Sequence, residues 1–201
     1  FSKFIIRICT IAVTLSVAAM IISTCLMDGF QFEIKSKVSN CWAHIHIKPY
    51  SLTRSMGENP IGADPVLLHN LKKAKGVRNV QMVAYKGGII NTADAFEGTV
   101  LRGISREGMG ELAQFIVAGT MIHAYSDSAM DNEILVSKRI ADKLQLKLNQ
   151  KLILSFMGNQ IQRRKFVISG FFNTGIESFD NQYAIVNLEA IQRMNRWSAD
   201  S

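Results

Sequence analysis

Residues 8–27 form a run of twenty positions without a formal charge, bounded by Arg7 and Asp28. At about 1.5 Å of rise per residue a helix of that length reaches about 30 Å, the thickness of a bilayer's hydrocarbon core. The polar side chains inside the run are only those of Cys, Thr and Ser, which a helix in lipid tolerates. The pattern predicts a transmembrane helix. Lys3 and Arg7 favour a cytoplasmic N-terminal end, and Lys35 and Lys37 beyond the other end weaken that bias. A secretory signal would need a shorter apolar run and a small-residue cleavage site, and Ile22-Ser23-Thr24-Cys25 matches a lipoprotein processing site only loosely. Within the span, Ala12, Ser16, Ala19 and Ser23 recur at helical spacing, forming a face of small side chains that lets a second helix approach closely. The alternative is a lipid-facing mixture with no partner. Phe30, Ile34 and Val38 then recur every fourth residue, predicting that the helix continues over 28–38 as an amphipathic stalk.

The rest alternates short periods of two and of 3.6. Residues 44–47 alternate polar and apolar and predict a strand, and 51–63 predict a loop. Asp64 is placed to cap a helix running through Leu67, Leu68 and Leu71 to Lys75, stopped by Gly76. Residues 77–90 predict a strand with a turn at Gly87-Gly88, and 99–104 another. Further strands are expected at 133–136, 151–156, 166–172 and 183–186, with helices at 138–148 and 188–194. The strands at 151–156 and 166–172 flank a polar tip, 158–165, which carries Arg163, Arg164 and Lys165. Such a basic triplet is either a partner contact or a solvated turn. The fold class is α+β: a membrane helix and stalk, then mixed layers of helix and sheet.

Composition narrows the chemistry. The 201 residues carry a net charge of +7, and setting aside Lys3, Arg7, Lys35 and Lys37 against Asp28 and Glu33 leaves +5 for the remainder. A mildly basic domain beside a membrane suits an anionic lipid surface. No long Lys/Arg run or interleaved aromatics point to nucleic acid. Three cysteines, Cys9 and Cys25 among them in the apolar run, make no disulfide framework. Cys41, His44 and His46 have a metal-like spacing but lack a second ligand pair, so no metal is assigned. Glu177 and Asp180 form an acid pair only by spacing; a turn rich in Gly and Asn more simply uses them as turn ligands. No phosphate-binding P-loop, nucleophile elbow or His-Glu-x-x-His motif occurs. No catalytic residue, cofactor or metal is expected.

Two stretches together carry a resemblance. Residues 11–19 running into Met27-Asp28-Gly29-Phe30 resemble the first membrane helix of lipoprotein-releasing (LolC/LolE-like) ABC permeases, within the MacB-like and FtsX-like permeases. Residues 166–180, continuing through Tyr183 to Asn195-Arg196-Trp197, resemble the end of their extracytoplasmic region. Gly76-Val77, Arg102-Gly103-Ile104 and residues 134–146 fall between in the expected order. The resemblance implies a helix and stalk over 1–40, the first half of an α/β "porter" part over 41–105 and a mainly β "sabre" part over 106–201. Because the chain begins at Phe1, it is expected to be a piece of a longer protein that would supply the second porter half and further spans. Asn149-Gln150 stands where a Gly-Asp turn is usual, and Ser137 where Gly is usual. The 158–165 tip is short where the carrier-gripping permease has a long hook, which implies a substrate-side or combined-role permease.

The resemblance implies a non-catalytic permease in a bacterial inner membrane, with the region after residue 40 periplasmic. Its implied partners are a cytoplasmic ABC ATPase, a second permease chain, a lipoprotein substrate, a periplasmic lipoprotein carrier and membrane lipids. Ala12, Ser16, Ala19 and Ser23 would pack against a neighbouring helix, and Leu15, Ile22 and Leu26 would meet acyl chains. Phe30, Ile34 and Val38 would mark a stalk that relays motion, and Arg163, Arg164 and Lys165 a contact tip. The rival expectations are an efflux or division-signalling permease, and a single-pass anchored sensor or adhesion domain.

Overall fold

The computed structural model describes residues 2–48, 61–62, 64–92, 95–122, 132–156 and 161–197. Two compact units follow one another along the chain, residues 1–44 and 45–201. The first is a single helix, α1 (Ser2–Trp42), of 41 residues, roughly 60 Å long at 1.5 Å per residue. It passes through Asp28 and Gly29 without a break, so the apolar run and its amphipathic continuation are one element. Among the described residues it is the one helix long and apolar enough to cross a membrane. The hydroxyls of Thr10, Thr14, Ser16 and Thr24 donate to carbonyls one turn back, at 2.8–3.2 Å. That bond satisfies a hydroxyl without water, which hydrocarbon requires. The helix stops where Ala43 turns left-handed (φ 66°) and its N–H donates to the Ser39 carbonyl at 2.9 Å.

No strand forms at 44–47. These residues have no ladder partner among the described residues, and Ile45 is 80% exposed. Alternation alone does not make a strand when nothing pairs with it. The next element is α2 (Pro65–Lys73), where Asp64 accepts from the Val66 N–H at 2.9 Å and proline occupies the first turn.

The sheet is built from β1 (Val83–Asn91), β2 (Phe96–Ile104), β3 (Ile116–Gly119), β4 (Glu133–Ser137), β5 (Lys151–Phe156), β6 (Gln162–Phe172) and β7 (Tyr183–Asn187). Its order is β3-β6-β4-β7-β2-β1-β5, and a further ladder joins β5 back to β6. Six of the seven strands therefore close into a ring, with β3 outside it on β6. Between the strands lie α3 (Arg106–Leu112), a 3-10 turn (Ala113–Phe115), α4 (Lys138–Lys143), α5 (Glu177–Asp180) and α6 (Leu188–Asn195). One core cluster gathers Leu101, Ile134, Leu154, Phe156 and Phe166 of the strands with Ile140 of α4 and Ile191 of α6. Phe179 of α5 stacks on Tyr183 at 4.8 Å and meets Phe172 edge-on at 6.0 Å, with the Arg102 guanidinium 5.8 Å from its ring.

Several expectations change. Gly87-Gly88 is not a turn but lies mid-strand in β1, because the ring of Phe156 crosses directly over it. A Cβ on Gly88 would sit 2.9 Å from the Phe156 Cε1. The helix expected over 138–148 ends at Lys143, where Gln145 takes φ 52°; Leu144 and Leu146 still reach the core, and Leu148 does not. Residues 77–82 precede β1 rather than belonging to it. The α3 helix and β3 had no sequence signal, since Gly108 and Gly110 mask the first and the second has only four residues. Strands on either side of residue 105 share one sheet: β1 pairs with β5, and β2 with β7.

Two stability outcomes follow. Gly88→Ala should destabilise by about 1–3 kcal/mol in urea unfolding, with Phe156→Leu in the same chain recovering part of the loss. Burial pushes the Tyr85 phenol above its ordinary 10.0, against a smaller opposing pull from Arg102, and burial likewise raises Tyr183. Above pH 10 the unfolded chain releases these protons first, so stability falls as pH rises from there. The Tyr85 hydroxyl is buried without a hydrogen-bond partner among the described residues. Tyr85→Phe should therefore leave neutral-pH stability equal or higher and shrink the alkaline loss, read as Tm between pH 7 and 11.

Candidate functional site

Three groups of expected site residues can be located. On α1, Ala12, Ser16, Ala19 and Ser23 lie along one face by helical geometry, with Leu15, Ile22 and Leu26 exposed at 71%, 60% and 68%. The Ser16 hydroxyl is already bonded to the Ala12 carbonyl at 2.8 Å, so it offers bulk rather than a donor to a neighbour. Phe30, Ile34 and Val38 continue on the same helix and are also exposed.

The basic triplet is not at a tip. β6 begins at Gln162, four residues earlier than expected, so Arg163, Arg164 and Lys165 pair with Ser155, Leu154 and Ile153 of β5. Alternation sends Arg164 to one side of the strand and Arg163 and Lys165 to the other. Residues 158–160 of the expected tip lie outside the described residues. Arg163 and Arg164, with Gln162, meet Arg193, Met194 and Arg196 at the C-terminal end of α6 around an open recess of 270 Å³. Nearby, Lys86 donates to the Asn195 side chain and lies 5.7 Å from the ring of Phe156. Burial lowers the Lys86 pKa from its ordinary value.

The acid pair separates into two roles. Glu177 is exposed and pairs with Arg139 at 2.9 Å. Asp180 is 2% exposed, and its carboxylate accepts from the Thr174 N–H at 3.1 Å, the Thr174 hydroxyl at 2.9 Å and the Gly175 N–H at 3.1 Å. Its backbone carbonyl accepts the hydroxyl of Ser137, which also caps α4 by accepting from Ile140 N at 3.1 Å. Asp180 is thus the turn ligand anticipated from the sequence. It ties the end of β6 to α5 and, through Ser137, to the start of α4. Gly170 belongs to the same region: a Cβ there would lie 2.7 Å from the Thr120 carbonyl oxygen. The recognisable stretch 166–180 accordingly contains the residues that build this turn. Cys41 has no described side chain. Among the described residues no three His, Cys, Asp or Glu side chains gather to hold a metal.

The MacB-like periplasmic core domain matches residues 8–200. The chain belongs to that family. Its relatives include the lipoprotein-releasing system transmembrane proteins LolC of Xylella fastidiosa strains 9a5c and Temecula1, each 22% identical over 98% of this chain and 47% of the relative. The chain thus spans about half the length of these curated relatives. Among solved structures, the periplasmic region of MacB from Actinobacillus actinomycetemcomitans is 13% identical, with a TM-score of 0.44 over 62% of this chain and 55% of that one. The extracellular domain of the ABC-type transporter YknZ from Gram-positive bacteria is 17% identical, with a TM-score of 0.43 over 63% of each chain. In this MacB-like chain an N-terminal apolar helix precedes a mixed α/β domain, an α+β architecture.

The turn around Asp180 yields a direct outcome. Asp180→Ala strands three donors and should destabilise by about 2–4 kcal/mol in denaturant unfolding. Glu177→Ala, which removes only an exposed pair, should stay within about 0.5 kcal/mol.

Proposed function

We propose that this chain is part of the permease subunit of an ABC complex that extracts lipoproteins from a bacterial inner membrane for a periplasmic carrier. The observation that carries the reading is the 22% identity to LolC proteins across 98% of the chain, membrane helix included. On this reading ATP hydrolysis belongs to a separate cytoplasmic subunit, and residues 1–201 carry no phosphate-cradling loop. The α1 helix lies in the membrane with a second permease chain against Ala12, Ser16, Ala19 and Ser23. Leu15, Ile22 and Leu26 face the acyl chains of the lipoprotein. Phe30, Ile34 and Val38, on the same unbroken helix, relay motion between the ATPase and the periplasmic domain, in a porter part and a sabre part.

A second reading keeps the machinery and changes the cargo, to efflux or division signalling; the match to the MacB-like domain supports it equally. Affinity purification of the full-length chain from gently solubilised membranes should retain a P-loop ATPase and a long permease chain. Depletion should make outer-membrane lipoproteins accumulate in the inner membrane. ATPase retention without lipoprotein accumulation selects the second reading. A lone chain sinks both and leaves an anchored binding domain. Replacing Ala19 and Ser23 together by Leu should abolish co-purification of the second permease chain while leaving membrane insertion intact. Unchanged complex assembly would remove the packing role.

A further inference from the structure

Register sets out one exposed face across four strands. Phe96, Asn91, Ile153 and Lys165 lie in one row over β2, β1, β5 and β6, and Gly98, Ile89, Ser155 and Arg163 in the next. Side chains opposite one another across a ladder, or two apart along a strand, share a face. The residues between these rows turn the other way, where Ile90 and Leu154 are fully buried in the core. An antiparallel sheet open to water ordinarily shows polar side chains on that side. This face does not: Phe96 is 81%, Ile161 70% and Ile153 40% exposed. Ile89, Ile153 and Ile161 line a groove of 410 Å³. In the same row as Ile89, Gly98 has nothing within 4 Å of the place a Cβ would take.

The charges on this face have one sign. Alternation puts Lys151, Arg163 and Lys165 on it, and none of the three forms an ion pair with another described residue. Lys138, Arg139 and Lys143 of α4, by contrast, all find carboxylates. Glu97 is the one carboxylate in the four strands. It lies between Phe96 and Gly98, turns to the other face and pairs with Lys143 at 2.7 Å. A second copy of this chain would bring the same basic face against itself, which like charge opposes. An anionic bilayer surface answers both halves of the pattern. Exposed aromatic and aliphatic side chains enter the boundary between headgroups and acyl chains, and Lys and Arg stay at the phosphates. The α1 helix, long and apolar enough to cross a membrane, ties such a surface to the same chain, so that a weak affinity suffices.

We propose that the face formed by β2, β1, β5 and the first half of β6 docks on the anionic surface of the membrane that holds α1. Phe96, Ile153 and Ile161 enter the headgroup boundary, and Lys151, Arg163 and Lys165 meet lipid phosphates. Asn91 donates its side-chain N–H to the Ser155 hydroxyl at 2.7 Å, which satisfies that donor within the face and eases its burial against lipid. The proposal rests on α1 lying in a membrane and is independent of the cargo and of the ATPase.

The test reconstitutes the full chain carrying Phe96→Trp into vesicles with brominated acyl chains, made of phosphatidylcholine alone or of an equal mixture with phosphatidylglycerol. The parent chain, whose tryptophans are Trp42 and Trp197, supplies the background. Phe96→Trp should gain bromine quenching in the mixed vesicles, gain little in phosphatidylcholine, and lose the gain as salt rises. Adding Arg163→Gln with Lys165→Gln should lower the docked-to-undocked ratio by about tenfold or more. Ile161→Ser should lower it as well. All these positions are exposed, and an unchanged Tm of each variant shows that the fold is intact. Equal quenching in the two lipids, or undiminished quenching after the two charges are removed, would overturn the proposal. So would absence of the gain in a chain that alkaline carbonate leaves in the vesicles, and the face would then belong to an acidic protein or a second copy. A chain that carbonate strips away would sink the membrane reading of α1 and this proposal with it.

Discussion

β6 hydrogen-bonds to three other strands, and the fold of the second unit rests on that. Its first half pairs with β5, and its second half lies between β4 and β3. One strand of 11 residues thereby makes both the hairpin and the parallel ladder that closes the ring. Such closure depends on side chains that change along the strand. Arg163, Arg164 and Lys165 lie where one edge is open to solvent. Phe166 and Ile168 point into the core, and Gly170 leaves room for the backbone of β3. A register shift between Ile134 and Leu135 adjusts β4 to the resulting bend. The Asp180 turn then fixes where the chain goes after Phe172. The helices α4 and α6 contribute Ile140 and Ile191 to the core that these strands share.

Much of this was legible from local patterns. The apolar run, its amphipathic continuation, the Asp64 cap and the strands at 99–104, 133–136, 151–156 and 183–186 all announce themselves through periodicity or capping chemistry. What stayed hidden depended on partners distant in sequence. Gly87-Gly88 reads as a turn because two glycines usually mark one; only the ring of Phe156, arriving from β5, makes glycine necessary inside a strand. The early start of β6 was masked by its charges, which are compatible with a strand because that half is exposed. Residues 44–47 show the reverse error, a strand-like alternation with no strand beside it among the described residues. The candidate site divided in the same way. The basic triplet was visible as a cluster, but the meeting of Arg163 and Arg164 with Arg193 and Arg196 of α6 required the fold.

The departures from the family pattern have local reasons. Asn149 stands where glycine is usual and has φ 60°, a conformation that asparagine tolerates better than other side chains. The Gln150 side chain accepts from the Lys147 N–H at 2.8 Å, so the turn keeps a side-chain ligand in place of Asp. Ser137, also at a usual glycine position, is fully buried and converts that position into a helix cap and a tether to Asp180. The Gln150 and Ser137 side chains both hydrogen-bond to the backbone of the elements they join.

The α1 helix has a mechanical character that follows from its hydroxyls. Side-chain bonds to carbonyls one turn back compete with the backbone ladder and let a helix bend. Thr10, Thr14, Ser16 and Thr24 place four such points within the apolar stretch. Gly29 follows with nothing within 4 Å of its missing Cβ, a compliant joint of low helix propensity. Beyond it the Glu33–Lys37 pair at 3.3 Å braces the polar side over a full turn. Ser39 also donates to the Lys35 carbonyl at 2.7 Å, so such points lie on both sides of Gly29. A lateral push anywhere along the helix would be taken up as curvature spread over its length.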